Sequence, residues 1–401
     1  MAVPATCRIT FSGVATALLD LPFGVPLEEW DVPALVDLPR GISRHVVRFV
    51  RAGTEVFALK EATDRFVTAE YRLLRELEER GVPSVHAFGT VTSRTDAEGE
   101  ELGGLLITRH LSYSVPYRAL FLEPRGLEVR DRLIDALAVL FVRLHLAGFY
   151  WGDCSLSNTL FRRDAGALSA YLVDAETGEI HPSLSDGQRD WDIEVATVNI
   201  LGELFDVLAS GATTGDLDPV AIAEQLRPRY EDLWWELTSP EVIPRDESFR
   251  IDQRVRRLNQ LGFDIDQIEI APMEGGSLLR YQPQVVESGH HVRRLFQLTG
   301  LDVQENQARA LLAELARFRA RWEAGVGHPI PEDQAAREWL DDKYFGTLGL
   351  VPPDLRGRLP DAELYFEISQ HRWFLSEARG ADVGREEAVA SYVRTVLDFH
   401  P

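Results

Sequence analysis

The chain has 401 residues, 45% of them hydrophobic and 26% charged, which is ordinary globular usage and excludes disorder throughout. Forty-two Lys and Arg against 64 Asp and Glu leave a net charge of −22, so phosphate backbones and anionic surfaces repel the molecule as a whole and no nucleic-acid partner is expected, although a local basic patch is compatible with that sum. The two cysteines, Cys7 and Cys154, exclude a disulfide scaffold and a multi-cysteine zinc site and fit a reducing cytoplasm.

Residues 1–40 are rich in Pro and small residues and read as an irregular lead-in with one or two short strands. Arg44 to Val50 and Thr54 to Glu61 are β-rich runs around Arg-Ala-Gly, the pattern of an antiparallel hairpin turning at Gly53. From Thr63 to Arg80, Phe66, Ala69, Leu73, Leu74 and Leu77 recur at helical spacing, and Gly81 stops the pattern. An extended stretch follows Pro83, then a polar turn over 94–104 and a short apolar strand over Leu105 to Thr108. Residues 128–149 predict a long amphipathic helix, Thr159 to Arg163 and Ala170 to Val173 two short strands, and residues 190–209 another helix. Helical periodicity dominates the rest, over 219–237, 247–262, 287–299, 302–323, 332–345 and 385–398. No apolar run approaches the roughly 18–20 residues of a membrane helix, and the first residues lack the pattern of a signal peptide. The expectation is a cytoplasmic protein with no membrane span.

The chemistry concentrates between His145 and Glu176. A loop presents Gly-Asp-x-x-x-x-Asn, with Asp153 and Asn158, and Val-Asp follows at the far end of a hairpin, with Asp174 sixteen residues beyond Asn158. A loop carboxylate at Asp153 can accept a proton from an attacking hydroxyl. The hairpin brings Asn158 and Asp174 together so that oxygen ligands converge on Mg²⁺. Upstream, Lys60 ends an apolar strand, where an ammonium can sit over nucleotide phosphates, and Glu70 lies on the next helix, able to pair with it. Singly, each residue has a plain structural reading. Lys60 can be a snorkelling surface lysine, Glu70 a solvated helix residue, Asp153 a turn former, Asn158 a cap, and Asp174 the start of an Asx-turn. Their joint order, with the right elements between them, is what points to chemistry.

From about Arg44 to Leu208 the chain resembles the protein-kinase-like superfamily, in particular its lipopolysaccharide-kinase and aminoglycoside-kinase branch. The helix sequence AEYRLLRELEERGVPSVHAFG, the hinge-like LLITRHL and the loop GDCSLSN carry the likeness. The helical tail, with GHHVRRLFQLTGLDVQENQ, is similar to that of an uncharacterised actinobacterial family in which a kinase-like region precedes a domain of unknown function. The resemblance implies that Lys60 contacts the α- and β-phosphates of ATP and Glu70 orients it. It also implies that Asp153 is the catalytic base, that Asn158 and Asp174 hold Mg²⁺, and that Leu105 to Leu111 form the hinge around adenine. One of Asp190 and Asp192 would brace the catalytic loop.

Several positions depart from the protein-kinase pattern. Trp151 and Gly152 stand where many protein kinases have His and Arg, Ala175 and Glu176 follow the metal-binding Asp, and the glycine-rich loop is reduced to Gly41, with Ser43 and the backbone of Ile42 to Arg44 as substitutes. No Ala-Pro-Glu segment follows Asp174, which favours a small acceptor over a peptide. The expected fold is α+β and bilobal, with a small β-rich N-lobe and a mostly helical C-lobe, followed by an all-helical C-terminal region. The expected domains are 1–110, 111–235 and 236–401. The expected activity is ATP/Mg-dependent phosphoryl transfer to a hydroxyl of a small molecule or glycoconjugate, with the helical tail available to a protein partner. The alternative is a pseudokinase that acts as a nucleotide-binding or interaction module.

Overall fold

The computed structural model describes residues 6–38, 45–117, 120, 127–211, 217–261, 263, 265, 267–273, 277–284 and 289–397. The chain divides into two compact units, one of residues 1–162 with 169–235, the other of residues 163–168 with 236–401.

The first unit begins with a six-stranded antiparallel sheet in the order Arg8–Phe11, Ala87–Thr92, Gly104–Arg109, Glu55–Ala62, Val46–Ala52 and Leu35–Val36. The hairpin of Val46–Ala52 and Glu55–Ala62 turns at Gly53, whose φ of 66° is open to glycine at little cost. Strand side chains alternate between faces. Phe57 and Leu59 enter a core built with Leu18, Phe23, Leu27 and Trp30 of the lead-in. Ala58 and Lys60 therefore face the other way, into a cavity. The lead-in contributes two strands, as expected, and its apolar residues seal one face of the sheet. The polar turn over 94–104 also holds a buried cation. Arg94 is fully buried, with Nε donating to the Phe23 carbonyl at 2.8 Å and Nη1 to Glu61 at 2.6 Å.

The helix Asp64–Glu79 buries Val67, Glu70, Leu74 and Leu77, a stripe of helical period, and ends before Gly81, whose φ is 67°. The helix Leu127–Leu146 buries residues on nearly every side, among them Leu133, Leu137, Phe141, Leu144 and His145. The loop over 151–158 leads into the strand Thr159–Asp164, which lies between Val115–Pro116 and Ala167–Leu172. The helix Asp186–Ala209 follows, capped by the Ser185 hydroxyl and Gln188 in a reciprocal capping box.

The second unit holds the helices Phe249–Gln260, His290–Thr299, Glu305–Val326, Glu332–Trp339, Asp361–Arg379 and Arg385–Thr395. Leu295, Leu311, Trp339, Tyr344, Leu364 and Tyr392 lie in its core. The expectation of helix throughout is corrected here by a three-stranded antiparallel sheet, Glu241–Pro244, Leu278–Gln284 and Gln267–Met273. Proline stands in all three strands, at Pro244, Pro272 and Pro283, and proline masks a strand signal because it donates no ladder hydrogen bond. The helix Asp361–Arg379 was not foreseen either. It buries four consecutive residues, Ala362 to Tyr365, which breaks the amphipathic period.

Residues 163–168 are the turn of a β-hairpin, with Ala165 at φ 50° and Gly166 at φ 85°, the left-handed pair of a tight two-residue turn. The buried Asp164 carboxylate accepts from the backbone N–H groups of Asn306 at 3.3 Å and Gln307 at 2.9 Å, in the first turn of the helix Glu305–Val326. It thereby serves as an N-terminal cap from a distant part of the sequence. Ala165 N–H donates to Glu363 at 2.9 Å, and Arg163 pairs with Glu367 at 3.1 Å.

Candidate functional site

A cavity of about 830 Å³ opens in the first unit, within the usual size of a small-ligand pocket. Val46, Ala58, Leu106, Leu160 and Val173 give it an apolar side, while Lys60, Glu70, Asn158 and Asp174 line its polar end. Thr108 to Leu111, in the hinge-like segment, also line it.

Lys60 points into the cavity because it sits in register opposite Leu106 on one side and Val47 on the other. Its Nζ donates to Glu70 Oε2 at 3.0 Å and Asp174 Oδ2 at 2.8 Å, and lies 3.0 Å from Glu176 Oε2. Burial pulls the Lys60 ammonium down, but Glu70 and Asp174 outweigh it and hold it well above the ordinary lysine range. Glu70 is 2% exposed; burial, helped by the Asp174 charge, pushes its carboxyl up to about 8. Burial would raise Asp174 as well, but the Lys60 charge beside it wins and holds its carboxyl below the usual range. Glu176 N–H closes an Asx-turn on Asp174 Oδ1 at 2.9 Å, and that turn brings the Glu176 carboxylate back to Lys60. His45 Nε2 lies 2.8 Å from the same Glu176 Oε2.

Oxygens of Glu70, Asp174 and Glu176 lie within 4.8 Å of one another. A single ammonium faces three carboxylates, which leaves the cluster electrically short of positive charge. All-oxygen donors in this arrangement are what a hard divalent cation such as Mg²⁺ takes. Of the two metal ligands expected from the sequence, Asp174 belongs to this acidic cluster.

Asn158 and Asp174 both line the cavity, and Val173 N–H donates to the Asn158 carbonyl at 3.0 Å. Asp153 stands apart from the cavity lining. Its backbone carbonyl accepts from Asn158 Nδ2 at 3.0 Å, and its Oδ1 accepts from Asn199 Nδ2 at 3.3 Å. The structure thus brings Lys60, Glu70 and Asp174 into direct contact, while Asp153 is bonded to Asn158, whose carbonyl in turn accepts from Val173 beside Asp174. The glycine-rich segment expected around Gly41, Ser43 and Ile42 to Arg44 lies outside the described residues.

The loop that carries Asp153 is held from one helix, Asp186–Ala209. Asp192 is fully buried and accepts from the N–H groups of Trp151 and Gly152, both at 2.8 Å. It also meets His145 Nε2 at 3.2 Å, while His145 Nδ1 meets the Tyr230 hydroxyl at 2.8 Å. Asp190 does not share this role; its side chain is 66% exposed. Sequence reasoning missed two further braces. Asn199 Nδ2 donates to the Cys154 carbonyl at 3.0 Å, and Glu203 accepts from the N–H groups of Leu156 at 2.6 Å and Ser157 at 3.1 Å. Asp192, Asn199 and Glu203 are seven and four residues apart, one face of a helix. Polar residues at that spacing beside the buried stripe of Ile193, Ala196, Ile200 and Leu204 were the available signal. Trp151 Nε1 donates to the Asp174 carbonyl at 2.9 Å, so the indole ties the loop to the Asp174 turn.

Residues 56–192 match the family described as lipopolysaccharide kinase (Kdo/WaaP), and residues 232–397 match a domain of unknown function, DUF4032. No curated protein matches the chain. A solved structure described as "WaaP in complex with acyl carrier protein" aligns over 63% of this chain and 99% of its own, at 15% identity and a TM-score of 0.39.

Proposed function

With a domain of the lipopolysaccharide kinase (Kdo/WaaP) family on an α+β fold at 56–192, followed by the DUF4032 domain, we propose that the chain is an ATP- and Mg-dependent phosphotransferase acting on a hydroxyl of a small molecule or glycoconjugate. The observation that carries this reading is Lys60 Nζ, held 3.0 Å from Glu70 and 2.8 Å from Asp174 at the polar end of an 830 Å³ cavity. A buried ammonium fixed between carboxylates at the mouth of an apolar pocket suits a ligand with a flat apolar end and a polyanionic tail.

In this reading the apolar side around Ala58, Leu106 and Val173 takes the adenine. Lys60 contacts the α- and β-phosphates, and Glu70 keeps the ammonium extended. Asn158 and Asp174 would hold Mg²⁺, with the Glu176 carboxylate within reach of the same cluster. Magnesium, when bound, offsets phosphate charge during transfer. Asp153 takes the proton of the acceptor hydroxyl, and Asn199 sets the direction of its carboxylate.

The test is Asp153→Asn, with ATP affinity measured by calorimetry beside a turnover assay on candidate acceptors or, failing those, basal hydrolysis. Nucleotide affinity is expected to stay near wild type, because it rests on Lys60, the hinge and the metal ligands. Turnover is expected to fall by about 10²- to 10⁴-fold, the usual contribution of a general base. Unchanged turnover would remove the role assigned to Asp153. Saturable ATP binding with no turnover in wild type would instead favour a nucleotide-binding module without catalysis.

A further inference from the structure

The second unit contains a cavity of about 450 Å³ whose wall reverses the charge of the chain around it. Arg317, Arg321, Lys343, Arg372 and Arg385 line it with a single carboxylate, Glu314. They come from four different segments. Arg317 and Arg321 are one turn apart on the helix Glu305–Val326, Arg372 lies on Asp361–Arg379, and Arg385 opens Arg385–Thr395. Lys343 sits in Leu340–Phe345, a stretch of π-helix that continues Glu332–Trp339. Such wide turns are rare and recur at functional sites, because the extra residue redirects a side chain.

The local pairing does not neutralise these cations. Lys343 and Arg385 share Asp342, at 2.7 and 3.4 Å, and Arg372 holds Asp382 at 3.0 Å. Among the described residues Arg317 and Arg321 have no carboxylate partner, and both are exposed. Glu314 Oε1 is occupied from below, by Trp339 Nε1 at 3.1 Å and the Tyr365 hydroxyl at 2.5 Å. Five cations against three carboxylates leave an excess of two positive charges in a protein whose sum is −22. Two arginines at i and i+4 repel one another.

We propose that this cavity is a binding site for a phosphomonoester. A phosphoryl group carries about −1.5 to −2 charges at neutral pH, which matches the excess. Arginine forks are suited to its oxygens because they donate two parallel hydrogen bonds. The cavity is much larger than phosphate alone, and buried Tyr365, Thr347 and Ile368 line it with hydroxyl and apolar surface for an organic body. The site is independent of the phosphotransferase reading, since it shares no residue with the other cavity.

The experiment titrates the full-length protein with glycerol 3-phosphate, with glycerol as the uncharged control. Parallel sedimentation uses vesicles with and without phosphatidic acid, which carries the same phosphomonoester on a lipid. Saturable binding of glycerol 3-phosphate is expected, weakened at least about tenfold in the double variant Arg317→Ala with Arg321→Ala and by rising salt. Lys60→Met is expected to leave it unchanged, which separates the two cavities. Both arginines are exposed, so the double variant is expected to melt at the wild-type temperature. Arginine-dependent binding to phosphatidic acid vesicles alone would support the site and assign its phosphate to a lipid. No binding to either probe, or binding indifferent to the two arginines, would overturn the proposal.

Discussion

Lys60 brings one positive charge to a place where Glu70, Asp174 and Glu176 converge. Burial, helped by the Asp174 charge, favours the protonated form of Glu70, the most buried of the three. Its folded-state pKa of about 8 lies above the ordinary 4.5. The folded protein therefore binds a proton that the unfolded chain has released. Stability from this source is complete below about pH 4.5 and is lost as pH rises through about 8. The metal-free melting temperature is expected to fall between those values, and Glu70→Gln is expected to flatten the profile. Asp174 runs in the opposite sense. Its depressed pKa stabilises the fold above the ordinary value of 3.8 and is lost on acidification. A second expectation concerns the metal. ATP should raise the melting temperature more with Mg²⁺ than without, by mass action on the folded state. That increment should vanish in Asp174→Ala; an increment equal to wild type would remove Asp174 from the metal site.

At the scale of elements, the helix Asp186–Ala209 is a scaffold for the loop beside it. Asp192 satisfies two backbone N–H groups from a position with no solvent access. Asp192→Ala leaves both N–H groups and His145 without their carboxylate and is expected to cost roughly 3 kcal/mol, read by chemical denaturation. Glu203→Ala acts on a half-exposed group and should cost less while loosening the same loop, visible as faster amide exchange at Leu156 and Ser157. These braces mark how far the sequence could be read. Lys60 and Glu70 were legible because a strand and the next helix are local and periodic. Asp174 was legible because one hairpin separates it from Asn158. Glu176 returns to Lys60 only through an Asx-turn. Glu203 is tied to Leu156 from 47 residues away, and no local pattern encodes that distance. The strands at Gln267–Met273 and Leu278–Gln284 were hidden by Pro272 and Pro283, which weaken the very propensity that reveals a strand.

For the whole molecule, the two units are not consecutive stretches of chain. Residues 163–168 belong to the second unit although they lie within the stretch matched by the kinase family. Asp164 is their most consequential member, buried and bonded to the first amides of a 22-residue helix. Asp164→Ala is expected to destabilise the second unit by about 2 kcal/mol, the upper range for loss of a helix cap. Asp164→Asn, which keeps an acceptor oxygen, should recover most of it. Circular dichroism melts of the three proteins check this, and equal melting of wild type and Asp164→Ala would show that the cap is dispensable. The two glycine-like turn positions, Ala165 and Gly166, fix how that carboxylate is presented.

The interleaving has a consequence for the order of events during synthesis. The partners of residues 163–165 lie 141 to 204 residues further along. At about 5–20 residues per second, a ribosome delivers them on the order of ten seconds or more after the hairpin has emerged. The hairpin can form at once, since its contacts are local, but its tip must wait in water. A carboxylate at Asp164 is well suited to that interval. It is hydrated and soluble while exposed, and it becomes a cap only when the amides of Asn306 and Gln307 arrive. An apolar residue there would leave exposed apolar surface at the tip for the whole delay, whereas a carboxylate exposes none.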